Sequence, residues 1–392
     1  MNEPNHSMHC TCALLKTLKT GTSISILLKN TSLPIVINFQ NYDDRTGCVS
    51  GILRDGRVFV TNCDCIAGIF LSPVPPLACQ VLAYVTNTGD NTVSVIDTET
   101  NTTIDTISVG ELPLLVALSP NGRRAYVTNF TSNTVSVIDT LTNTVINTID
   151  VPGGPTGVAV TPDGTTVYVT NANDGTLTAI STVTNSIINV FPVGNAPSNP
   201  VNIAISPDSL TAYVTDQTQG TLSIVDLVTT TQTVITVGAI PPAGAFGVAV
   251  TPNGAEVYVT NSFEGSVSAV DTTTLAETLI PVGIVPGTSA PLGIAITSDG
   301  STAYVVNLSD PSISIIDTIT KSETTLLTSP DLDLPANIAI TPDDKFAYIT
   351  NNNFGSTTVV VLDLTTNTFV GEITVGLEPF GIAIGTVCPN QL

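Results

Sequence analysis

The stretch AYVTNTGDNTVSVIDTETN, residues 83–101, decides the fold, because it returns 42 residues later as AYVTNFTSNTVSVIDTLTN, residues 125–143. The tetrad YVTN or a close relative begins at seven tyrosines that lie 42 to 46 residues apart: Tyr84, Tyr126, Tyr168, Tyr213, Tyr258, Tyr304 and Tyr348. Self-similarity with this period indicates a repeat architecture, in which each unit buries its apolar surface against its neighbours.

Each unit reads as four short strands divided by turn signals. The unit around Tyr168 has the turn Pro162-Asp163-Gly164, and its strands are predicted at Gly157–Thr161, Thr166–Asn171, Thr176–Ser181 and Ser186–Val193. Four strands in a unit of about 40 residues indicate a propeller blade. A solenoid of parallel strands is the alternative, but its units are shorter and contain fewer reversals.

The two ends of the repeat array complement each other. The first unit lacks its innermost strand, because Pro75 stands where the other units have an alanine, and a matching strand without a tetrad appears at 379–384. A closed ring would pair these ends and remove the exposed edges. We therefore predict an all-β fold, a seven-bladed β-propeller closed by pairing of Ile382–Ile384 with Val81–Asn87.

Charge and cysteine divide the chain in two. The net charge is −22, yet the first 76 residues hold six of the ten basic residues, five of the seven cysteines and both histidines. This shift predicts a boundary at 72–76, between a cysteine-rich small β module (1–76) and the propeller (77–392). The acidic balance argues against a nucleic-acid partner, which needs clustered Lys and Arg. No apolar run approaches the ~20 residues that span a bilayer, and no secretory signal is visible, so membrane insertion is not expected.

Residues 81–392 resemble the YVTN β-propeller repeat family, which is met in bacterial and archaeal surface-layer-like proteins. The motifs that carry the resemblance are AYVTN at 83–87 and 125–129, TVSVIDT at 92–98 and 134–140, and S-P-N-G or T-P-D-G before the tetrad. The resemblance implies the seven-bladed fold. It implies little about function, because the family includes binding and structural proteins with few defined activities.

An aspartate ends the third strand of most units and could be imagined as part of a metal ring. We interpret these residues as structural instead, each bonding the backbone of the Thr-x-Thr-Asn turn that follows, and we interpret the tetrad asparagines in the same way. The aspartates are Asp97, Asp139, Asp226, Asp271, Asp317 and Asp363. A residue repeated in unit after unit is explained by the blade, whereas a single site would appear once.

Catalytic sites can be examined by what the propeller lacks. Because both histidines lie before residue 10, Ser–His–Asp, Cys–His and histidine-ligated metal sites cannot be built within the repeats. Glycine-rich phosphate loops are also missing. We assign no catalytic residue and expect neither a cofactor nor an enzyme, although a carboxylate-based site is the third alternative for function.

The connections from one blade to the next vary most and predict a binding face. They share one side of the disc with the turns that join the second and third strands, and variable loops on a rigid ring commonly bind ligands. Loop drift without function is the alternative. The candidate residues are Phe130, Pro241, Pro242, Phe246, Phe263, Pro286 and Phe354.

Cys79 and Cys388 should meet where the ring closes. Alignment of the units places Cys388 at the position of Gly122 and Cys79 at that of Asn121, in one hairpin. We predict a disulfide between them that ties down the closing strand. Two free thiols are the alternative.

The N-terminal module is predicted to hold five strands, in a pattern that looks like an Sm-like or SH3-like small barrel without its basic surface. Its cysteines and histidines are candidates for disulfides, for cross-links to other chains, for zinc ligation or for reduced thiols. They are His6, His9, Cys10, Cys12, Cys48, Cys63 and Cys65. An odd number of cysteines leaves one thiol free or bonded to another chain.

These features favour a non-enzymatic surface or envelope protein, such as a component of the spore coat or exosporium. The N-terminal cysteines would anchor or polymerise it with protein partners, and the propeller would be displayed as a rigid acidic scaffold. A soluble propeller that binds a ligand or protein through the long-loop face is the alternative.

Overall fold

A computed structural model of the protein describes five N-terminal strands and most of residues 79–388. The described ranges are 23–28, 35–43, 48–53, 58–62, 66–70, 79–239, 242, 244–285 and 287–388, with side chains from residue 79 onward. They fall into two compact units with the boundary between Ala78 and Cys79.

The N-terminal unit contains one antiparallel sheet. Its strands are β1 (Ser23–Leu28), β2 (Ile35–Asp43), β3 (Cys48–Leu53), β4 (Val58–Asn62) and β5 (Ile66–Phe70). Their order is β4-β3-β2-β1-β5, so the last strand pairs with the first.

The second unit is a propeller of seven four-stranded antiparallel sheets. Blade 1 combines β33 with β6–β8, and blades 2 to 7 take four successive strands each, from β9–β12 to β29–β32. The strands are β6 Gln80–Asn87, β7 Thr92–Asp97, β8 Thr102–Ser108, β9 Pro113–Leu118, β10 Arg124–Asn129, β11 Thr134–Asp139, β12 Thr144–Asp150, β13 Pro155–Val160, β14 Thr166–Asn171, β15 Thr176–Ser181, β16 Ser186–Pro192, β17 Pro200–Ile205, β18 Thr211–Asp216, β19 Thr221–Asp226, β20 Gln232–Thr236, β21 Ala245–Val250, β22 Glu256–Asn261, β23 Ser266–Asp271, β24 Glu277–Pro281, β25 Pro291–Ile296, β26 Thr302–Asn307, β27 Ser312–Asp317, β28 Ser322–Thr328, β29 Pro335–Ile340, β30 Phe346–Asn351, β31 Thr358–Asp363, β32 Thr368–Thr374 and β33 Pro379–Val387.

Strand sharing closes the ring as predicted. The last strand, β33, pairs antiparallel with β6, and Ile382, Ala383 and Ile384 lie opposite Val85, Tyr84 and Ala83. The prediction of seven blades is therefore confirmed.

The second and third strands of blade 3 agree with the predicted ones, the fourth ends at Pro192 rather than Val193, and the innermost strand differs more. That strand begins at Pro155 rather than Gly157, because a register irregularity keeps Pro155 opposite Asn171 before regular pairing resumes at Val158. Such irregularities add a residue that the alternation of side chains does not reveal.

The core lies between neighbouring blades. Between blades 1 and 2, for example, Tyr84 and Val95 of blade 1 pack with Val116, Val127 and Ile138 of blade 2. Each inner sheet is covered on both faces, so the second and third strands read as almost continuous buried runs of Val, Ile and Tyr.

Candidate functional site

The antiparallel blades give the propeller two unlike faces. The connections between strands one and two and between strands three and four form one face, here named the turn face. The connections between strands two and three and from blade to blade form the opposite face, here named the loop face. Each charged residue of a connection can therefore be assigned to one face from the strand bounds.

All four basic residues of the propeller belong to the turn face: Arg123, Arg124, Lys321 and Lys345. Arg124 Nη1 lies 2.7 Å from Asp139 Oδ2, and Lys321 Nζ lies 2.5 Å from Glu256 Oε1. The connections of the loop face contain no Lys, Arg or His, and they carry ten carboxylates at or beside the strand ends: Asp90, Glu111, Asp150, Asp174, Asp216, Glu264, Asp310, Asp331, Asp333 and Glu378. The loop face is therefore uniformly negative.

Some of these carboxylates hold the loops in place. Asp90 Oδ2 accepts the backbone N–H of Leu377 at 2.6 Å, and Asp310 Oδ2 accepts that of Ile284, also at 2.6 Å. In each case an acid of one blade binds the connection that leaves the preceding blade. Charge-assisted bonds of this kind are the stronger hydrogen bonds in proteins, so these two groups serve the scaffold.

Three other carboxylates of the loop face have no such partner. The side chains of Glu111, Asp174 and Glu378 form no hydrogen bond or ion pair with the described residues. Glu111 and Asp174 are exposed and Glu378 is half-buried. These three groups are available to a cationic ligand.

Apolar side chains project from the same face. Phe354 is 93% exposed and Phe263 is 60% exposed, and Ile284 and Val285 are also exposed. The backbone of Glu378 lies against the turn that carries Phe354, because the N–H of Glu378 donates to Ser356 O at 2.7 Å. Apolar tips among acidic groups can bind a segment that is both cationic and apolar.

The predicted binding residues are distributed unevenly. Phe263, Phe354 and Pro242 are exposed on the loop face, whereas Phe130 is half-buried against Gly154. Pro241 and Pro286 lie outside the described residues.

Phe246 was predicted to lie in a loop, and this prediction is wrong. It belongs to β21, the innermost strand of blade 5, and its ring meets that of Phe380 on β33 edge to face, with 6.5 Å between centroids. Blades 5 and 1 are separated by blades 6 and 7, so the two rings meet across the central axis. Both residues stand second in their strands, so the contact lies at the end of the innermost strands nearer the loop face.

The repeated aspartates bind their turns, as interpreted from the sequence. The N–H of Thr274 donates to Asp271 Oδ1 at 2.7 Å, and that of Thr320 does the same to Asp317. The hydrogen bond from Thr274 holds the pKa of the Asp271 carboxyl below its ordinary value. Within the residues that have described side chains, no group of three or more His, Cys, Asp or Glu is arranged to hold a metal ion.

The tetrad asparagines have different partners from those predicted. Asn87 Nδ2 donates to Thr92 Oγ1 and Ser94 Oγ, both at 2.9 Å, and so bonds hydroxyls of the next strand rather than the backbone of a turn. Asn129 repeats the arrangement with Thr134 and Ser136. The asparagines are therefore part of the blade structure, as interpreted, but the predicted hydrogen-bond partners were wrong. The side-chain amide at the end of the second strand faces the third strand across the hairpin, and it bonds hydroxyls there.

The predicted disulfide between Cys79 and Cys388 is present, with sulfurs 2.01 Å apart. Cys48 begins β3, of which only the backbone is described. The other candidates of the N-terminal module, His6, His9, Cys10, Cys12, Cys63 and Cys65, lie outside the described residues.

Sequence reasoning missed the segregation of charge between the two faces. The signal was available, since each Lys and Arg of the repeats stands near the first or third turn of its unit. It becomes visible only when every charged residue is assigned to a connection, and not when charge is summed along the chain.

A family model described as YNCE-like beta-propeller matches residues 63–381. A functionally unknown protein from Desulfotomaculum acetoxidans DSM 771 is 19% identical with a TM-score of 0.66, over 79% of this chain and 99% of that one. A protein from Lactobacillus plantarum is 19% identical with a TM-score of 0.64, over 79% and 100%. Virginiamycin B lyase from Staphylococcus aureus is 16% identical with a TM-score of 0.61, over 80% and 97%. No curated protein matches the chain.

These comparisons confirm the family resemblance drawn from the repeats, and the structural likenesses at this identity concern the fold alone. Among the described residues, no helix has the length and apolar character needed to cross a membrane.

Proposed function

The chain belongs to the YNCE-like β-propeller family, and from this premise we propose that it is a binding protein whose loop face takes up a basic, partly apolar segment of a protein partner. The partner would supply Lys or Arg side chains to the free carboxylates and apolar side chains to the exposed aromatic rings. The propeller would act as a rigid scaffold for that contact, without catalysis.

One observation carries the proposal: a nearly fully exposed ring, Phe354, stands on a turn whose backbone bonds that of Glu378, a residue with an unpaired carboxylate among the described residues, on a face whose connections have no basic residue. Large exposed apolar side chains that are rimmed by polar groups mark interaction surfaces. An aromatic anchor surrounded by charges is also the composition in which binding energy concentrates.

Electrostatics favours a cationic partner on this face. The basic residues on the turn face partly neutralise its acids, whereas the loop face has no such compensation. A surface of one sign attracts and orients an oppositely charged segment, mainly by raising the association rate. Apolar contact then slows dissociation.

The test uses the full chain and a synthetic peptide of alternating Lys and Leu, with binding measured by fluorescence anisotropy. We expect Phe354→Ser to weaken binding about tenfold, and Glu111→Gln with Glu378→Gln to weaken it by a similar factor. Binding should also weaken as salt is raised, because exposed charge pairs are screened. A peptide with Glu in place of Lys should not bind.

Matched controls lie on the opposite face. Glu99 and Ile319 are exposed on turns of the turn face, so Glu99→Gln and Ile319→Ser remove the same chemistry there. They should leave the affinity unchanged. If these two substitutions weaken binding as much as those on the loop face, the peptide binds a negative protein without a site, and the proposal fails.

We also propose that the N-terminal module anchors or cross-links the protein through Cys10 and Cys12, which would place the propeller on a cell or spore surface. The supporting observation is compositional: two C-x-C pairs precede a unit whose own two cysteines are joined to each other. The disulfide of the propeller leaves the N-terminal cysteines to bond among themselves or with another chain. Non-reducing electrophoresis tests this role.

A further inference from the structure

The outermost strand of blade 3, β16, differs from the other six outer strands. Its sequence is SIINVFP, and its first five residues are all exposed, which no other outer strand shows. It buries none of its residues, as do β20 and β28, whereas β8, β12, β24 and β32 each bury an isoleucine near their end. Ile188 is 58% exposed and Val190 is 50% exposed, with Ile187 and Val183 exposed beside them. We name Val183, Ile187, Ile188 and Val190 the blade 3 rim.

The blade 3 rim lies in a region without charge. Between Asp174 and Asp208 the chain has no Asp, Glu, Lys, Arg or His. Five of the other outer strands each contain an acid, namely Asp105, Asp150, Glu277, Glu323 and Glu372. The sixth, β20, is shorter and has Gln and Thr at its exposed positions.

Charges on an outer strand protect it from pairing with other chains. In blade 3 this protection is missing at an edge that is also apolar, since β16 pairs with β15 on one side and with no described strand on the other. An exposed apolar patch on a free edge is the feature by which β proteins associate.

We propose that the blade 3 rim is the interface of a homodimer, in which β16 of one copy packs against β16 of a second copy about a two-fold axis. Two-fold symmetry brings the same patch together from both partners, so one neutral surface is sufficient. The dimer would leave the loop face of each copy accessible and make binding there bivalent.

Charge identifies a second copy as the occupant. Two chains of net charge −22 repel each other through nearly every other surface, so contact between copies is least opposed at the uncharged rim. A basic partner would be drawn to the loop face instead, because the rim offers it no opposite charge.

The size of the interface indicates a weak dimer. A strand of seven residues is only about 23 Å long, so the contact falls at or below the range of stable interfaces. We therefore expect a dissociation constant on the order of 10 µM.

The test is sedimentation velocity of the full chain at about 1 to 100 µM, a range that brackets the expected constant. Free thiols are first alkylated with iodoacetamide, so that cross-linking through cysteines cannot mimic a dimer. We expect a monomer–dimer equilibrium that strengthens as salt screens the repulsion between copies. Ile188→Lys should weaken dimerisation at least tenfold, because it places like charges in a small apolar interface.

A matched control lies in blade 1. Ile104 in β8 corresponds to Ile188 in β16, because each is the unpaired residue at the register shift of its strand. The side chain of Ile104 is 48% exposed. Ile104→Lys should leave the dimer intact. If Ile188→Lys lowers the midpoint of thermal unfolding, Val190→Lys serves as the second interface variant. A monomer throughout the concentration range, or equal effects of Ile188→Lys and Ile104→Lys, would overturn the proposal.

Discussion

Each polar letter of the tetrad has a separate task, and the threonine joins three strands. Thr260 Oγ1 accepts the N–H of Gly247 at 2.7 Å and donates to Leu292 O at 2.8 Å, so it connects the innermost strands of blades 5 and 6. Thr86 does the same between blades 1 and 2. In blade 6 the place is taken by Val306, which cannot form these bonds.

Three of the seven tetrad tyrosines, Tyr84, Tyr258 and Tyr348, reach outward to the next blade. Tyr348 donates to Asn101 Oδ1 at 2.5 Å, and Tyr84 donates to Asn143 Oδ1 at 3.1 Å, so each hydroxyl binds the turn after the third strand of the following blade. Burial raises the pKa of Tyr348 to about 12. The neutral phenol is thus the form that the fold favours.

At the residue scale we predict the effect of Thr260→Val, which keeps the side chain's shape and removes its hydroxyl. The buried N–H of Gly247 and the carbonyl of Leu292 would lose a partner, so unfolding free energy should fall by about 2 kcal/mol. Urea unfolding measures the change as a lower midpoint with an unaltered slope. Thr106→Val, at an exposed threonine whose hydroxyl has no bond within the described residues, is the control. Equal midpoints for the two variants would contradict the assigned role.

At the element scale, the closing strand β33 is held in three ways. It pairs with β6, its Gly381 N–H donates to Thr86 Oγ1 at 2.8 Å, and Cys388 just beyond it is bonded to Cys79. The close fit is visible at Gly381, where an added Cβ would lie 2.3 Å from Leu114 O of the next blade. A side chain there would push β33 away from β9.

The disulfide should contribute strongly to stability, because it closes a loop of 309 positions in the unfolded chain. We expect the double substitution Cys79→Ser, Cys388→Ser to lower the free energy of unfolding by about 3–5 kcal/mol. Urea unfolding with and without reductant measures it. Reductant should destabilise the unsubstituted protein by a similar amount and leave the double variant unaffected. A reductant effect that persists in the double variant would assign the stabilisation to other cysteines.

At the scale of the whole molecule, chemistry is sorted by direction. The turn face carries the ion pairs, and the loop face carries unpaired acids with exposed aromatic rings. The blade 3 rim carries no charged residue, positive or negative. A closed ring makes such sorting possible, because its blades fix the faces and the rim in different directions. One molecule can then present separate surfaces to separate partners.

The proposed anchoring belongs to this scale as well, and non-reducing electrophoresis of native protein checks it. We expect high-mass ladders that collapse with reductant, because cysteines on an N-terminal arm can bond those of neighbouring chains. Cys10→Ser with Cys12→Ser should abolish the ladders, and Cys79→Ser with Cys388→Ser should leave them. A single monomer band from unsubstituted protein would end this part of the proposal.

The sequence by itself determined the seven blades, the shared strand and the Cys79–Cys388 bond, because all three follow from where identical motifs begin and where the array lacks a piece. The spacing of the motifs can be read directly from the sequence, and repeated four-stranded units that close into a ring leave few alternative arrangements. Only the tertiary structure decided that Phe246 meets Phe380 across the axis and that the backbone of Glu378 bonds the turn that carries Phe354. The ring pair joins blades distant in sequence, and both relations depend on distances within the folded ring that no local pattern encodes.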